Sequence, residues 1–314
     1  MPLDLHARNN SVHRMQWGRC RDRIAASNLY HSPVGPRSNI GVQRLDRLLE
    51  FFQPMARLIG LDWLGRHFGR RVRLAQHDFQ LPRLPQAFRN FRLLHITDPH
   101  FDMDPDMAQA IINICNDVEV DLCVFTGDYR AGNDGACESI YPSFRSLIGG
   151  VKSRYGFWGI LGNHDGTEML EPLEATGLKI LLNESVDLPI KGQILRLTGL
   201  DDVNCFYTEQ ADIALDADQS DFAIALVHSP EMASRAARAG YGLYLCGHTH
   251  GGQICLPGGK PLITHLHCEK DLYAGRWQRG DMTGFTSPGA GMSGLPYRFF
   301  CQPEVSLITL TGKD

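Results

Sequence analysis

Short apolar runs alternate with helix-like spacing from residue 78 onward. Residues 92–97 (RLLHIT) read as a buried strand, 105–118 as a helix and 121–126 (DLCVFT) as the next strand. A helix over 137–148 leads to a strand over 156–161 (GFWGIL). A short helix over 168–176 then leads to strands and turns over 179–200. Residues 222–227 (FAIALV) form another buried strand, 230–239 a helix opened by its proline, 241–246 (YGLYLC) a further strand and 304–310 a last one. The alternation predicts an α/β domain.

The amino-terminal quarter has a different pattern. Residues 1–38 are polar and rich in arginine, and end in Ser32-Pro33-Val34-Gly35-Pro36. Such a composition buries too little apolar surface to offset the entropy of ordering, and it predicts disorder. Residues 39–77 form an amphipathic extension in which Leu45, Leu48, Leu49, Phe52, Met55 and Ile59 share one helical face, with Pro54 and Gly60 interrupting it. Leu61, Trp63, Leu64 and Phe68 follow, beside Arg66, Arg70, Arg71 and Arg73. Two readings fit: a helix packed on the domain, or an interfacial anchor that lays residues 40–73 on an anionic membrane. The main domain then spans 78–314.

Composition sharpens this division. The 314 residues, 43% of them hydrophobic, suffice for one large domain plus an extension. The net charge of -4 hides an asymmetry, because residues 1–95 hold 16 arginines and no lysine against six acidic residues. A basic arm favours anionic partners. No recognised nucleic-acid-binding module accompanies it, which makes nucleic acid the weaker partner. Nine cysteines without a C-x-x-C predict reduced thiols and a cytoplasmic setting. No run of ~18 apolar residues suggests a spanning helix.

The chemistry lies where the strands end. The five runs finish in Asp98-Pro99-His100, Gly127-Asp128, Gly162-Asn163-His164-Asp165, His228 and Gly247-His248-Thr249-His250-Gly251-Gly252. Ligands bind at the carboxyl ends of strands in open α/β sheets. In extended chain, residues two apart project to one side, so Asp98 with His100 and His248 with His250 are each expected to converge. Asp, His and Asn donors suit two divalent ions of the Mn, Fe, Zn, Co or Ni type. Each motif alone is weak: a strand-end histidine such as His228 is more often structural, and G-N-H-D fits a simple turn. All five in order, each after a buried strand, point to a metal site.

These motifs resemble those of the calcineurin-like metallophosphoesterases, over roughly residues 90–310. The resemblance implies two packed mixed β-sheets flanked by helices. It also implies one metal held by Asp98, His100, Asp128 and His250, with Asp128 bridging to a second held by Asn163, His228 and His248. His164 matches a catalytic histidine that faces the scissile phosphate without binding metal. The ending Gly-His-Thr-His-Gly-Gly-Gln253 and the 295–304 tail (LPYRFFCQPE) resemble a bacterial, membrane-associated branch, some of whose members are similar to UDP-2,3-diacylglucosamine pyrophosphohydrolases. Ala131 departs from the family pattern, in which an acidic residue supports the catalytic histidine. Asp134 and Asp165 are the candidate substitutes.

The expected function is hydrolysis of a phosphodiester or pyrophosphate bond, in a lipid-linked substrate at the inner face of the cytoplasmic membrane. Alternatives are a soluble nucleotide phosphodiesterase and a non-catalytic metal-binding scaffold. His265, Leu266, His267 and Cys268 suggest a loop over the site, and Tyr273, Arg276 and Trp277 a mobile segment that touches substrate.

Overall fold

A computed structural model of the chain describes residues 5–27, 29–38, 54, 57, 58, 60–132, 137–216 and 221–312. Most of the amphipathic stretch over 39–59 lies outside these residues.

Two six-stranded mixed sheets form the body. The first runs β3 (Arg73–Leu81), β14 (Glu304–Gly312), β4 (Phe91–Ile96), β5 (Leu122–Phe125), β6 (Phe157–Gly159) and β7 (Lys179–Ile180). The second runs β8 (Glu184–Ile190), β9 (Gln193–Gly199), β10 (Phe222–Leu226), β11 (Leu243–Cys246), β13 (Met282–Thr286) and β12 (Gly275–Arg279). Strands β4, β5 and β6 are parallel neighbours, as are β9, β10, β11 and β13, so their carboxyl ends lie together.

The pleat explains why these strands are apolar throughout. Leu93, Val124, Trp158 and Ile160 of the first sheet meet Leu195, Leu197, Ile224, Leu226, Leu245 and Phe285 of the second in one core. The alternate residues Leu94, Ile96, Cys123 and Phe125 face α3 (Met107–Cys115) and α4 (Ile140–Gly150). Ala223, Ala225, Tyr244 and Cys246 face α6 (Glu209–Leu215) and α7 (Ala233–Arg238). Strands covered on both faces carry no polar alternation. In α4, Ile140, Tyr141, Phe144 and Leu147 are buried, the spacing of one helical face.

Three expectations need correction. The segment expected to be disordered is ordered over residues 5–27 and 29–38: α1 (Leu5–Ser27) is a long helix, followed by the hairpin β1 (Leu29–Ser32) and β2 (Gly35–Ser38). The composition argument counted apolar area, whereas α1 is anchored by polar contacts. Trp17 Nε1 donates to Asp201, Arg21 pairs with the same carboxylate, and Arg14 reaches Glu174 at 2.7–2.8 Å. The domain also begins before residue 78, because β3 pairs with β14 over nine residues. Finally, Arg276 and Trp277 belong to the β12–β13 hairpin. They line a cleft with Gln80 and Pro82, and none of the strand-end motif residues lines it.

Helix α2 (Leu61–Gly69) packs through its glycines. A Cβ on Gly65 would lie 2.8 Å from Tyr297 Cβ and 2.9 Å from Phe299, and Tyr297 donates to Asp62 at 2.7 Å. Leu61, Trp63 and Phe68 remain exposed.

Phe144 ties this architecture to the loops above it. Its ring meets Phe101, Phe125 and Tyr129 at centroid distances of 5.1, 5.6 and 4.9 Å. Phe101 and Tyr129 each directly follow a candidate metal ligand. Phe144→Ala should destabilise the protein by about 3–5 kcal/mol in urea denaturation. A loss below ~1 kcal/mol would show that the ring cluster collapses without cost.

Candidate metal centre

The strand-end residues converge as two buried groups. Asp98, His100 and His250 offer ligand atoms within 4.8 Å of one another, and so do Asp128, His228 and His248. Asn163 completes the second group, its Oδ1 lying 2.8 Å from His248 Nδ1 and 3.1 Å from His228 Nε2. Asp128 Oδ2 stands between them, 3.2 Å from His228 Nε2 and 4.0 Å from His100 Nε2. His164 Nε2 lies 3.9 Å from the same oxygen, at the edge of the cavity.

The pairs do not converge as extended chain. Asp98, His100, Asp128, His248 and His250 all have φ between 42° and 70°. His248 and His250 point into different groups. Left-handed backbone costs ~1–2 kcal/mol per non-glycine residue, and such strain collects at functional sites. The strand cannot continue past its last ladder bond, so the chain turns sharply and its side chain looks back across the sheet end.

Hydrogen bonds fix which nitrogens face the centre. His100 Nδ1 donates to Arg130 O at 2.8 Å and His228 Nδ1 to Thr126 O at 2.7 Å, so each Nε2 points inward. His100 Nε2 then faces His250 Nε2 at 3.2 Å. The buried His248 Nε2 has no hydrogen-bond partner among the described residues. Two inward-facing ring nitrogens this close, with Asp98 3.4 Å from one and Asp128 4.0 Å from the other, fit a divalent cation.

The electrostatics agree. Burial pushes Asp98 up to about 6, and burial pushes His100 down to about 4. Burial opposes charge on both Asp128 and His228, yet their mutual attraction holds the carboxyl well below its usual range and the imidazole well above. Burial also lowers His248 and His250.

Several supporting residues were not legible as motifs. Arg298 is fully buried and donates to the carbonyls of Gly291, Pro288 and His250, joining the 288–291 loop to the histidine loop. Arg130 Nε donates to His164 O at 2.8 Å. Asp165 was a candidate support for His164. Its carboxylate instead accepts Asp128 N, Tyr129 N and Gly162 N, each at 2.8 Å, and so ties two loops together. His164 Nδ1 is buried with no partner among the described residues, and Asp134 lies outside them. Arg298 lies in the 295–304 tail, but nothing in the residue order marks it as buried, because a single arginine in a loop reads as surface.

A cavity of about 380 Å³ opens over the centre, with Asp128, Asn163, His164, His248 and His250 on its floor. His265 and His267 do form part of its wall, together with Tyr30, Asn204, Ile254, Leu262, Ile263 and Leu295.

Similarity to known proteins points the same way. The calcineurin-like phosphoesterase family profile matches residues 91–252, which hold all seven candidate ligands and His164. The uncharacterized metallophosphoesterase YkuE of Bacillus subtilis is 30% identical over 255 residues, covering 77% of this chain and 87% of that protein. The uncharacterized metallophosphoesterase Cj0846 of Campylobacter jejuni is 27% identical over 243 residues, 73% of this chain and 62% of that protein. Among solved structures, TT1561 of Thermus thermophilus aligns with a TM-score of 0.43 at 13% identity, over 64% of this chain and 89% of that one. The chain belongs to the calcineurin-like metallophosphoesterases. It is a metal-binding hydrolase by family, with two candidate sites for the two divalent ions that the family normally binds.

Cation binding should compete with protons here. Asp98, raised to about 6, holds a proton below that pH that an incoming cation must displace. Mn²⁺ should therefore raise the melting temperature of chelator-treated protein more at pH 7.5 than at pH 5.5. Equal shifts at both values would remove Asp98 from the binding step.

Proposed function

We propose that the chain is a dinuclear phosphohydrolase that cleaves a phosphodiester or pyrophosphate bond. The observation that carries this reading is the position of Asp128, whose carboxylate lies between the two ligand groups on the cavity floor. Asp98, His100, Asp128 and His250 would hold one ion, and Asp128, Asn163, His228 and His248 the other. Donors of nitrogen and oxygen without thiolate fit Mn, Fe, Zn, Co or Ni, and Mn is the first choice for assay. When bound, such ions supply Lewis acidity, acidifying water and neutralising charge on phosphoryl oxygens.

The protein's own groups do the rest. His100 and His228 are held by carbonyls so that their Nε2 atoms face inward, and the 162–165 turn sets where Asn163 and His164 emerge. His164 carries no place in either ligand group, and its Nε2 edges the cavity. It is positioned to donate to a phosphoryl or leaving-group oxygen. The backbone N–H of His164 donates to Asp128 Oδ1 at 2.9 Å, which couples its placement to the bridging carboxylate.

We further propose a lipid-linked substrate met at an anionic membrane surface. Leu262 and Ile263 on the cavity wall are exposed, as are Leu256 and Phe300, each adjacent to the segments joined by the Ile254–Phe299 bridge. Helix α2 adds exposed Leu61, Trp63 and Phe68 on a segment with Arg66 and Arg70, and it rests against Phe299. Aromatic and aliphatic side chains beside arginines suit a headgroup interface. Among the described residues no helix is long and apolar enough to cross a membrane.

Two measurements test these readings. With Mn²⁺ and bis(p-nitrophenyl) phosphate, His164→Ala should lower kcat about 10²–10⁴-fold while metal content stays near normal. Asp128→Asn should instead lower metal occupancy. Unchanged turnover in H164A would remove its catalytic role. Vesicle sedimentation at moderate salt should pull down the protein with anionic liposomes and leave it in solution with neutral ones. Absence of binding, with full turnover of water-soluble nucleotide diesters, would favour a soluble phosphodiesterase.

A further inference from the structure

The helix α1 brings one buried arginine to the back of the metal centre. Arg21 is 3% exposed, although it lies in a segment dominated by polar residues. Its Nη2 donates to Gly162 O at 2.7 Å and to Asp165 O at 2.6 Å. These are the two ends of the four-residue turn that presents Asn163 and His164. Its Nη1 pairs with Asp201, whose other oxygen accepts Trp17 Nε1 at 2.7 Å. The guanidinium carbon sits 3.9 Å from the centre of the Phe206 ring.

Each contact restrains a different freedom. The ion pair and the aromatic face fix where the guanidinium lies. The rigid fork then fixes the separation of the two carbonyls, because both accept from one nitrogen. The turn is also closed from inside, by Asp165 N on Gly162 O at 3.3 Å and Gly162 N on the Asp165 carboxylate at 2.8 Å. Arg21 is the outer half of that clamp. A lysine has neither the fork nor the planar face, so it cannot serve all of these partners at once.

We infer that Arg21 is a positioning residue for the second ligand group, and that α1 is thereby part of the working site. This rests on the dinuclear reading above. Arg21 touches no candidate ligand side chain; it acts through the backbone that carries Asn163 and His164. The segment after α1 continues the same task. His31 N donates to Cys205 O at 2.8 Å and Tyr207 N to His31 O at 3.0 Å, which lays the hairpin along the 204–207 loop and sets Tyr30 in the cavity wall. Partners that orient metal ligands from outside the centre typically contribute 10–100-fold in affinity or turnover.

The test is a Mn²⁺ titration by equilibrium dialysis with metal analysis, on the full chain and its variants. The wild-type protein should take up two equivalents. Arg21→Met should bind the first equivalent as before and the second about 10–100-fold more weakly, with Arg21→Lys recovering part of the loss. Arg14→Ala is the control, since it loosens α1 at Glu174 without touching the turn. It should titrate like wild type. If R21M holds both equivalents as tightly as wild type, the inference is wrong. It is equally wrong if R21M and R14A weaken both equivalents together, because that pattern belongs to helix docking alone. Should R21M not fold, R21K carries the same comparison against wild type and R14A. A wild-type protein that takes up one equivalent or none would instead remove the dinuclear reading on which the inference stands.

Discussion

Two carboxylates buried together, Asp98 and Asp128, set the terms for this structure. Both are 2% exposed or less, and the groups around them are mostly imidazoles, two of which, His100 and His228, are held by carbonyls with Nε2 turned inward. Taking a carboxylate out of water costs several kcal/mol per charge unless something positive meets it. Protons can meet part of that demand, which is why Asp98 is raised and His228 holds its proton so firmly beside Asp128. Divalent cations meet it better. The fold therefore has to assemble a cluster that is unfavourable by itself, and much of the surrounding architecture can be understood as the means of holding it.

That means lies first in the backbone. The parallel strands end side by side, and five of the seven candidate ligands then adopt left-handed conformations that side chains ordinarily avoid. Their neighbours leave little room to relax. A Cβ on Gly162 would lie 2.8 Å from His228 Cε1 and 2.5 Å from Asp128 N, so only glycine lets those two loops touch. Asp165 and Arg298 add buried hydrogen bonds that cross from loop to loop. Neither side chain belongs to a ligand group. Each removes a direction in which the strained loops could slide, and together they make the left-handed turns the state of lowest energy available.

How much of this the sequence discloses depends on the range of the interaction. The candidate ligands stand out in the sequence because each follows an apolar run, and a polar cluster at the end of a buried strand is a local signal. The strands that carry them are legible for the same reason, down to ends one or two residues off, whereas β3 and the β12–β13 hairpin are not. The convergence of His248 and His250 was misjudged because spacing assumes extended chain, and left-handed backbone at a non-glycine residue leaves no mark in the residue order. The segment with Tyr273, Arg276 and Trp277 reads in sequence as a mobile loop, whereas Arg276 and Trp277 lie in the β12–β13 hairpin, where Gly284 makes room for the Trp277 ring that covers it. The order in α1 was missed because its partners, Asp201 and Glu174, lie about 160 to 185 positions away.

The arginines of the amino-terminal segment show how a net charge can mislead. A surplus of ten positive charges over residues 1–95 reads as a single basic surface seeking an anion. In the structure those arginines divide. Arg14 and Arg21 are turned inward onto the chain's own carboxylates and carbonyls, and Arg73 pairs with Glu304 at the sheet edge. Arg66 spans one helical turn to Asp62, while its neighbours Trp63 and Phe68 stay uncovered. The acidic body supplies the partners, so the charge asymmetry is in good part the signature of an intramolecular interface. Near α2 the exposed Leu61, Trp63 and Phe68 lie on a segment with Arg66 and Arg70, the pattern on which the proposed membrane contact rests. A contact of the proposed kind would draw its affinity from burial of the aromatic side chains as well as from charge, so salt alone would weaken it only in part.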